Sequence, residues 1–476
     1  MSTFSFLWHD YETWGANPRV DRPSQFAAIR TDENLEIIAD PIMLYCRPSN
    51  DFLPHPEAVL ITGITPQKAY QEGLPEAEFF KQIHSEFAKP NTCGVGYNNL
   101  RFDDEITRFG FYRNFIDPYA HTWQNGNSRW DILDLMRMTH ALRPEGINWA
   151  EREAGIPSFK LEDLTAANNI EHAGAHDALV DVKATIAIAK LIKEKQPRLY
   201  DFYLKLRHKG EAEKQLSLHQ PKILLHISGM FPAELGCIAP IIPLMRHPVN
   251  KNEIICYNLR VSPEAMLKLD ADSIAEKLYT PSLDLAEGEE RIALKGVHIN
   301  KCPALAPINT LTDKQAKKWQ IDWQTIQKHY EQLMADQTLL EKLSKVYSQK
   351  ADFGENDADS ALYDGFISNN DRQRCNQLLQ LKPEQLAAWT PDYFQDKRLQ
   401  TLLPRYKARN YPEILNDTEI QNWKNFCQAR LIDGEFGCNL TLEQFQQELM
   451  TLAQSQQSEA KQKLLEQLSL WVQGMF

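Results

Sequence analysis

Three short groups of acidic and histidine residues, all within the first 181 positions, constrain this chain more than any other feature of its sequence. The first group, Asp10-Tyr11-Glu12, ends a mainly apolar run over residues 4–8. The length and aromatic content of that run predict a buried β-strand. Residues two apart on a strand point to the same face, so the two carboxylates should lie side by side. Neighbouring carboxylates repel each other unless a cation lies between them, so the pair predicts a Mg²⁺ or Mn²⁺ site.

The second group runs from Asn98 to Asp103, between two predicted elements. The segment from Gly94 to Asn98 resembles a strand edge, and apolar residues at helical spacing follow Asp103. Acidic residues in a first helical turn often only complement the helix dipole. A carboxylate at a strand-to-helix junction is nevertheless well placed to approach the first pair. Asp103 is therefore predicted as a third ligand, with the adjacent Asp104 as the alternative.

The third group is His176 followed by Asp181. Five positions correspond to about 140° around an ideal helix, so the two side chains cannot share one face of a helix. Both can approach one site only if His176 lies before or in the first turn and Asp181 projects from the body. Gly174 precedes the pair and an apolar helical pattern begins at Ala178, which fits that arrangement. A lone histidine near a helix start is more often an exposed or capping residue.

Taken in order, the three groups resemble the motifs of the DEDDh superfamily of 3′→5′ exonucleases. Longer strings are similar to bacterial exonuclease I, a family of processive deoxyribonucleases specific for single strands. Within the first 200 residues these strings are HDYETWG, GYNNLRFDDEITR and AHDALVDVKATIAIAKL. The resemblance continues through VHINKCPALAPINTL and RYKARNYPEIL, so it covers most of the chain.

The resemblance implies a role for each motif residue. Two Mg²⁺ ions, with Mn²⁺ as a possible substitute, would be held by Asp10, Glu12, Asp103 and Asp181. Two ions about 3.5–4 Å apart can activate a water and neutralise the leaving oxygen. His176 would be the general base, because histidine exchanges protons near neutral pH. The implied activity is removal of 5′-mononucleotides from the 3′ end of single-stranded DNA, in DNA repair and recombination.

The charge distribution bears on DNA binding more than the net charge of −12 does. Residues 98–143 interleave six arginines with eight aromatic residues, a mixture typical of surfaces that track phosphates and stack on bases. Each aromatic residue could equally be part of a core. The resemblance favours five residues as substrate contacts: Glu12, Arg108, Tyr119, Trp123 and Arg137. Lys160 stands where the family commonly has Arg, and its ammonium group can contact a phosphate only as a point charge.

The resemblance also implies a protein partner, the acidic C-terminal tail of single-strand DNA-binding protein. Arg143 and Lys222 lie where the family binds that tail, and Phe202 stands where Tyr is common. A monomer is expected. The 8 cysteines form no Cys-x-x-Cys pair, which argues against a disulfide framework and fits a reducing cytoplasm. No signal peptide or membrane span is predicted, since the apolar stretch over residues 223–245 is interrupted by polar residues and prolines.

The predicted fold class is α/β with three domains. A ribonuclease-H-like exonuclease domain with a mixed central sheet would occupy residues 1–196, a small SH3-like β-barrel domain residues 197–350, and an all-helical domain residues 351–476. The pair Gln196-Pro197 predicts the first break. In the family, the three parts surround a strand-binding groove, so the later domains would provide processivity. An acidic string near residue 355 lacks the ligand spacing of an EF-hand and is predicted to be a solvated linker; it comprises Asp352, Glu355, Asp357 and Asp359.

Two other classes of function remain open. A different DEDDh enzyme, such as a short-RNA exoribonuclease or a proofreading subunit, would use the same five residues. That interpretation leaves the long region after the nuclease motifs without a role. A binding protein on an inactive nuclease scaffold is the other alternative, and against it all five positions hold chemically competent residues.

Overall fold

The computed structural model describes residues 3–174, 176–281, 284, 291–348, 356–455 and 458–475. The chain forms two compact units, each built from separate stretches of sequence. The first unit comprises residues 1–128, 172–186 and 354–476, and the second comprises residues 129–171 and 187–353. Among the described residues, no helix is both long enough and apolar enough to span a bilayer.

The described residues form short and medium-length strands, which are numbered in chain order. They are β1 (Ser5–Thr13), β2 (Pro23–Thr31), β3 (Ile42–Tyr45), β4 (Thr92–Gly96), β5 (Ser128–Asp131), β6 (Glu151–Glu153), β7 (Ile156–Pro157), β8 (Leu224–Ile227), β9 (Ile238–Arg246), β10 (Glu253–Asn258), β11 (Leu294–His298) and β12 (Ala304–Pro307).

The α-helices occur in three groups along the chain. The first group contains α1 (Pro56–Thr62), α2 (Pro66–Glu72), α3 (Glu76–Phe87), α4 (Asp103–Arg113), α5 (Ile132–Leu142), α6 (Leu161–Ala167), α7 (Ala178–Lys195), α8 (Pro197–Lys205) and α9 (Lys209–Gln215). The second contains α10 (Glu264–Leu267), α11 (Ala271–Tyr279), α12 (Asp313–Lys318), α13 (Trp323–Ala335) and α14 (Leu339–Ser348). The third contains α15 (Asn369–Leu378), α16 (Pro383–Leu386), α17 (Lys397–Asn410), α18 (Asp417–Leu431), α19 (Leu442–Gln454) and α20 (Glu459–Gln473).

The sheet of the first unit is mixed, as predicted. β1 pairs antiparallel with β2, and β2 pairs antiparallel with β3. On its other edge β1 pairs parallel with β4, but only from Ser5 to Trp8. β4 ends at Gly96, so the C-terminal half of β1 extends beyond β4 on this edge. Asp10 and Glu12 lie inside β1, which continues to Thr13, and not at its end as the sequence suggested.

One face of this sheet is covered by aromatic residues. Leu7 and Tyr11 of β1 alternate with the two carboxylates, so they point to the opposite face. That face packs against the apolar sides of α3 and α4, where Phe80 and Phe111 make an edge-to-face contact. Because these side chains are buried, their packing fixes the position of β1, whose other face carries the carboxylates.

The C-terminal helices share cores with the N-terminal part of the first unit. In one core Phe109 and Phe115 pack with Leu402 and Tyr406, and in another Trp14 packs with residues of α18, α19 and α20. The helical segment is as predicted, but its interior is joined to that of the N-terminal part. The division into three domains at residues 196 and 350 remains a prediction.

The second unit contains an antiparallel sheet with the strand order β11-β10-β9-β8-β12. Its strands bury almost only aliphatic residues, as in Ile238, Ile241 and Ile254. Ile254, Ile255, Cys256 and Tyr257 of β10 are all buried, whereas β11 buries only Leu294 and Val297. At Gln196-Pro197, where the sequence predicts a break, α7 ends at Lys195 and α8 begins at Pro197, but the domain boundary itself remains a prediction.

The prediction of a solvated linker at the acidic string is wrong for its last two residues. Asp359 is 4% exposed and lies 2.6 Å from Arg409 and 3.0 Å from Arg430. Asp357 lies 2.7 Å from Arg405. Asp352 and Glu355 lie outside the described residues. The arginine partners follow 46–71 positions later in the chain, so local spacing could not reveal them.

These contacts belong to a larger buried group, which we call the ion-pair cluster. It joins the two ends of the chain, because Asp51 of the N-terminal part accepts from Arg409 of the C-terminal helices. In the same group Glu76 accepts from Arg113. The ion-pair cluster comprises Arg22, Asp51, Glu76, Arg113, Asp357, Asp359, Arg405, Arg409 and Arg430.

Candidate functional site

The two carboxylates of β1 face the same side of the sheet. In the antiparallel register Asp10 lies opposite Ala27, and Glu12 lies opposite Gln25 of β2. Small Ala27 leaves room above the strand at Asp10. Glu12 is 8% exposed, and Asp10 is partly buried. The predicted side-by-side placement of the two groups follows directly from the strand geometry.

Asp103 is the first residue of α4, and it is brought to the same strand. Its Oδ1 accepts a hydrogen bond from the backbone N–H of Tyr11, at 3.0 Å. Tyr11 lies beyond the residues of β1 that pair with β4, so Asp103 satisfies a backbone donor that β4 does not reach. The hydroxyl of Tyr11 lies 2.9 Å from that of Thr107, one turn further along α4. Both contacts hold the start of α4 against the segment between Asp10 and Glu12.

Asp103, and not Asp104, belongs with the pair on β1. Asp103 is a charged neighbour of both Asp10 and Glu12. Asp104 is also buried, but it acts on His9. The carboxylate that completes the sequence motif is thus the one near the other two.

The start of α7 is fixed by hydrogen bonds on two sides. The N–H of Ala178 donates to Oε1 of Gln25, at 3.1 Å, and Gln25 lies opposite Glu12 in the sheet. The carboxylate of Asp177 accepts from the N–H of Leu179, at 3.0 Å, as in a helix N-cap. Asp181 therefore lies in the first turn of a helix that is anchored directly beside Glu12.

His176 precedes α7, as its spacing from Asp181 predicted. Its backbone φ is 68°, in the left-handed region that is uncommon for residues other than glycine. One potential ligand atom each from Glu12, His176 and Asp181 lies within 4.8 Å of the other two. Glu12 is buried, Asp181 is partly buried and His176 is exposed. The turn before α7 therefore presents an accessible imidazole to a buried pair of carboxylates.

Sequence reasoning missed two residues of this site. Nε2 of His172 lies 2.5 Å from Oδ1 of Asp181, and the negative charge of Asp177 acts on Glu12. The only sequence signal for either residue was proximity to His176 in an irregular, glycine-containing segment.

The electrostatics of the site are those of crowded carboxylates. Burial raises the pKa of Asp10 well above its ordinary value, and the negative charges of Asp103, Glu12 and Asp181 raise it further. Burial, followed by repulsion from Asp181 and Asp103, raises the pKa of Glu12 to about 9. Without a cation, Glu12 therefore holds a proton at neutral pH. A cluster of hard oxygen donors in this condition fits one or more divalent cations, which would relieve the repulsion and displace the protons.

Besides Glu12, three predicted substrate contacts belong to the first unit. Trp123 is 65% exposed, and Tyr119 is partly buried at the edge of a cleft of about 420 Å³. Arg108 is buried, with its guanidinium 5.5 Å from the centre of the Tyr119 ring and 3.0 Å from the carboxylate of Glu105. Of the other aromatic residues in the arginine-rich stretch, five are core residues, namely Phe109, Phe111, Tyr112, Phe115 and Trp130.

The remaining predicted contacts belong to the second unit. Arg137 pairs with Asp134 at 2.7 Å, and Lys160 is exposed immediately before α6. Arg143 and Phe202 line one cleft of about 550 Å³. Lys222 is exposed and is not among the residues that line this cleft. The structure thus brings two of the three predicted partner-binding residues together.

Comparison with known proteins assigns each segment of the chain. Residues 7–189 match the family model described as Exonuclease. Residues 207–349 match the Exonuclease I SH3-like domain, and residues 356–475 match the Exonuclease I C-terminal domain. The predicted fold class is confirmed by these matches and by the mixed sheet.

Individual relatives are similar along nearly the whole chain. Exodeoxyribonuclease I of Escherichia coli (strain K12) is 46% identical over 468 residues, covering 98% of this chain and 97% of that protein. Exodeoxyribonuclease I of Haemophilus influenzae is 47% identical over 433 residues, covering 90% of this chain and 91% of that protein.

The fold agrees with a solved structure at similar identity. A crystal structure of E. coli exonuclease I in complex with a dA16 oligonucleotide superposes with a TM-score of 0.95, at 44% identity, over 100% of both chains. Since close to half of its residues are identical to those of such relatives over almost its entire length, this chain belongs to the exonuclease I family and is a 3′→5′ exonuclease, a hydrolase of phosphodiester bonds.

Proposed function

We propose that this chain degrades single-stranded DNA processively from its 3′ end and releases 5′-mononucleotides by two-metal hydrolysis. The observation that carries the proposal is the group of neighbouring carboxylates on β1, α4 and α7 with His176 at its exposed side. The relatives named exodeoxyribonuclease I and the similar structure with a dA16 oligonucleotide support DNA as the substrate.

The metal ligands would be Asp10, Glu12, Asp103 and Asp181, holding two Mg²⁺ ions, with Mn²⁺ as a possible substitute. A divalent cation is also supported by a zinc-bound E. coli exonuclease I complex with single-stranded DNA, similar to this chain at a TM-score of 0.93 and 44% identity. Bound ions of this kind polarise the scissile phosphate, activate water and stabilise the leaving oxygen. The protein holds its carboxylates in place beforehand, since Asp103 is fixed by the N–H of Tyr11.

His176 would act as the general base. Its exposed ring lies next to the buried Glu12 and Asp181, so an imidazole nitrogen can take a proton from a water at the carboxylates and pass it to solvent. Glu12, which is buried beside that ring, would also contact the terminal nucleotide. A base at the solvent side of the site is suited to repeated turnover, because each cycle must release one proton.

The strand would be held outside the carboxylates by stacking and by phosphate contacts. Trp123 is exposed enough to stack on a base, and Tyr119 is partly accessible at its cleft. Arg108, Arg137 and Lys160 would contact phosphates. Arg108 is paired with Glu105 and lies 5.5 Å from the centre of the Tyr119 ring, so it would also orient Tyr119.

A protein partner is also proposed, the acidic C-terminal tail of single-strand DNA-binding protein. The cleft lined by Arg143 and Phe202 offers a cation to an acidic tail and adds apolar surface beside it. A solved structure described as SSB/Exonuclease I in complex with an inhibitor, at a TM-score of 0.92 and 43% identity, supports this partner. Lys222 would add positive charge for the same tail.

We further propose that the protein works as a monomer in the cytoplasm, in DNA repair and recombination. The eight cysteines are all free thiols and seven are buried, which supports a reducing compartment.

The test compares oligonucleotides of one sequence as single-stranded DNA, duplex DNA and RNA, labelled at either end. We expect stepwise shortening of 5′-labelled single-stranded DNA, immediate release of a 3′-terminal label as a mononucleotide, and no reaction with EDTA. Rapid loss of a 5′-terminal label, or faster cleavage of the RNA, would contradict the proposal.

A matched pair of variants tests the ligand assignment. Asp103→Asn should lower turnover by at least about a hundredfold, because one charged ligand is lost. Asp104→Asn, at the adjacent buried carboxylate, should stay within about tenfold of wild type. The reverse order of effects would assign the site to Asp104.

A further inference from the structure

His172 makes a contact that the proposed mechanism does not use. It lies in the segment before α7, four residues ahead of His176, and its side chain is 6% exposed. Its ring nitrogen Nε2 lies 2.5 Å from Oδ1 of Asp181. The two histidines of this segment thus differ in burial, since His176 is exposed and faces the same acidic group.

The contact restricts how Asp181 can point. An aspartate on a helix can rotate about two side-chain bonds, and repulsion from Glu12 would favour orientations that carry its carboxylate away from the site. A hydrogen bond from Nε2–H of His172 to Oδ1 opposes that movement. Because a carboxylate has two oxygens, Oδ2 remains available to a cation while Oδ1 accepts from the histidine.

We propose that His172 is a positioning residue, which holds the Asp181 carboxylate in the orientation that binds a divalent cation. The inference rests on the proposed function, since it concerns the metal site of that function. Carboxylate ligands in metal sites are commonly oriented by a second hydrogen-bonding group, and loss of that group typically lowers metal affinity about 10–100-fold. His172 provides such a group from the loop that also carries His176.

If His172 blocked metal binding instead of promoting it, its removal would change the metal affinity in the opposite direction. If the hydrogen bond kept Asp181 away from the cation, removing His172 would strengthen metal binding. The sign of the change in affinity therefore separates positioning from blocking.

The experiment uses the full-length protein and three substitutions. His172→Leu removes the donor and places an apolar side chain at this buried position. His172→Gln retains an amide N–H at nearly the distance of the imidazole Nε2. His172→Asn is polar but too short to reach Asp181, and it replaces His172→Leu if that variant does not fold.

Mn²⁺ binding is measured by calorimetric titration without DNA, and cleavage of a single-stranded oligonucleotide is measured across Mg²⁺ concentrations. We expect a 10–100-fold weaker Mn²⁺ affinity for His172→Leu and His172→Asn, and an affinity within about threefold of wild type for His172→Gln. In cleavage, the Mg²⁺ requirement should rise while the rate at saturating Mg²⁺ recovers most of the wild-type value. A residue that served only stability would change the melting temperature without this pattern.

His329→Leu is the control, because His329 is a buried histidine that bonds a backbone carbonyl, that of Leu259, in the second unit. It should lower the melting temperature and leave the Mn²⁺ affinity unchanged. Unchanged or tighter Mn²⁺ binding by folded His172→Leu or His172→Asn, with wild-type activity intact, would overturn the inference alone. Absence of metal-dependent cleavage by the wild-type protein would overturn the proposed function and this inference together.

Discussion

The first unit buries two groups of acidic residues, and their surroundings are opposite. In the ion-pair cluster, Asp51 and Asp359 are enclosed by arginines. In the active site, the charged neighbours that act on Asp10 are the acidic residues Asp103, Glu12 and Asp181. Buried carboxylates are thus surrounded by positive charge in the ion-pair cluster and by negative charge near Asp10.

The pKa values follow this difference. Burial alone would raise the pKa of Asp51, but Arg409, Arg22 and Arg430 outweigh it and hold the pKa well below its ordinary value. For Glu12, burial and negative neighbours act in the same direction and raise the pKa to about 9. The ion-pair cluster is not uniform, since burial raises the pKa of Glu76 despite the nearby Arg22. The comparison predicts that the ion-pair cluster stabilises the fold, whereas the proposed active site gains stability when it binds a cation.

The largest effect is expected when the active site loses one ligand. Asp10→Ala should lower turnover by a thousandfold or more, corresponding to about 4 kcal/mol at 1.36 kcal/mol per factor of ten. The metal-free melting temperature should not fall, because the substitution removes a carboxyl group that repels its neighbours. Steady-state digestion of single-stranded DNA and a melting curve with EDTA check both points. Digestion within about tenfold of wild type would refute the metal assignment.

The second expected effect is on stability and concerns the ion-pair cluster. Asp359→Asn leaves Arg409 and Arg430 buried with less compensation, and breaking a buried pair in this way typically costs about 3–5 kcal/mol. Urea unfolding at neutral pH measures the loss. Asp364→Asn is the matched control, since Asp364 is exposed in the same segment. Equal stability of the two variants would show that the ion-pair cluster contributes nothing to folding.

A third effect is expected in the pH dependence of the metal-free protein. The folded state holds a proton on Glu12 up to a pH of about 9, whereas the unfolded chain releases it near its ordinary pKa of 4.5. Stability should therefore decrease as pH rises between these values. Glu12→Gln should remove part of this decrease, by an amount on the order of 2 kcal/mol between pH 5 and pH 9. Parallel pH profiles of wild type and Glu12→Gln in EDTA would contradict the shift.

The ion-pair cluster should behave in the opposite way. The pKa values of Asp51 and Asp359 are lowered in the folded state, so their contribution is present above the ordinary carboxyl range and is lost as pH falls below it. Unfolding curves at pH 3 and pH 6 measure this loss, which should be smaller in Asp359→Asn than in wild type. An equal loss in the two proteins would assign acid sensitivity to other residues.

The smallest effect is expected at Asp177, which adds negative charge beside Glu12 and caps α7. Asp177→Asn keeps the cap, because Asn and Asp are similar in that role, and removes only the charge. The metal-free melting temperature at pH 8 should change by the equivalent of less than about 1 kcal/mol, in the stabilising direction. A large loss would show that the aspartate contributes more than a cap.

The sequence was most informative where function depends on local geometry. Asp10 and Glu12 two apart on a strand, Asp103 at a helix start, and His176 ahead of Asp181 are all statements about one element or one junction. Periodicity and family resemblance were therefore sufficient to identify them. The positions of α4 and α7 relative to β1 could not be derived, because they depend on Tyr11 and Gln25, whose polar contacts are not visible in a pattern.

Long-range contacts account for what the sequence did not reveal. Asp359 resembled a solvated linker residue because Arg409 and Arg430 follow far along the chain. For the same reason, the cores that join α17–α20 to the N-terminal part were not foreseen. A fragment that ends near Lys195 would lack these C-terminal helices. It would leave Asp51 without Arg409 and Arg430 and expose Phe109 and Trp14, so we expect it to unfold.

The most direct test of the central claim is the number of protons released when the metal-free protein binds Mg²⁺. Calorimetric titration at pH 7.5, in buffers of different ionisation enthalpy, measures that number. Because Glu12 holds its proton up to a pH of about 9, and a cation replaces it, binding should release on the order of one proton or more, and the number should fall as pH rises beyond 9. Mg²⁺ binding with no proton release at pH 7.5 would contradict the account, since the carboxylates would then already be ionised without a cation.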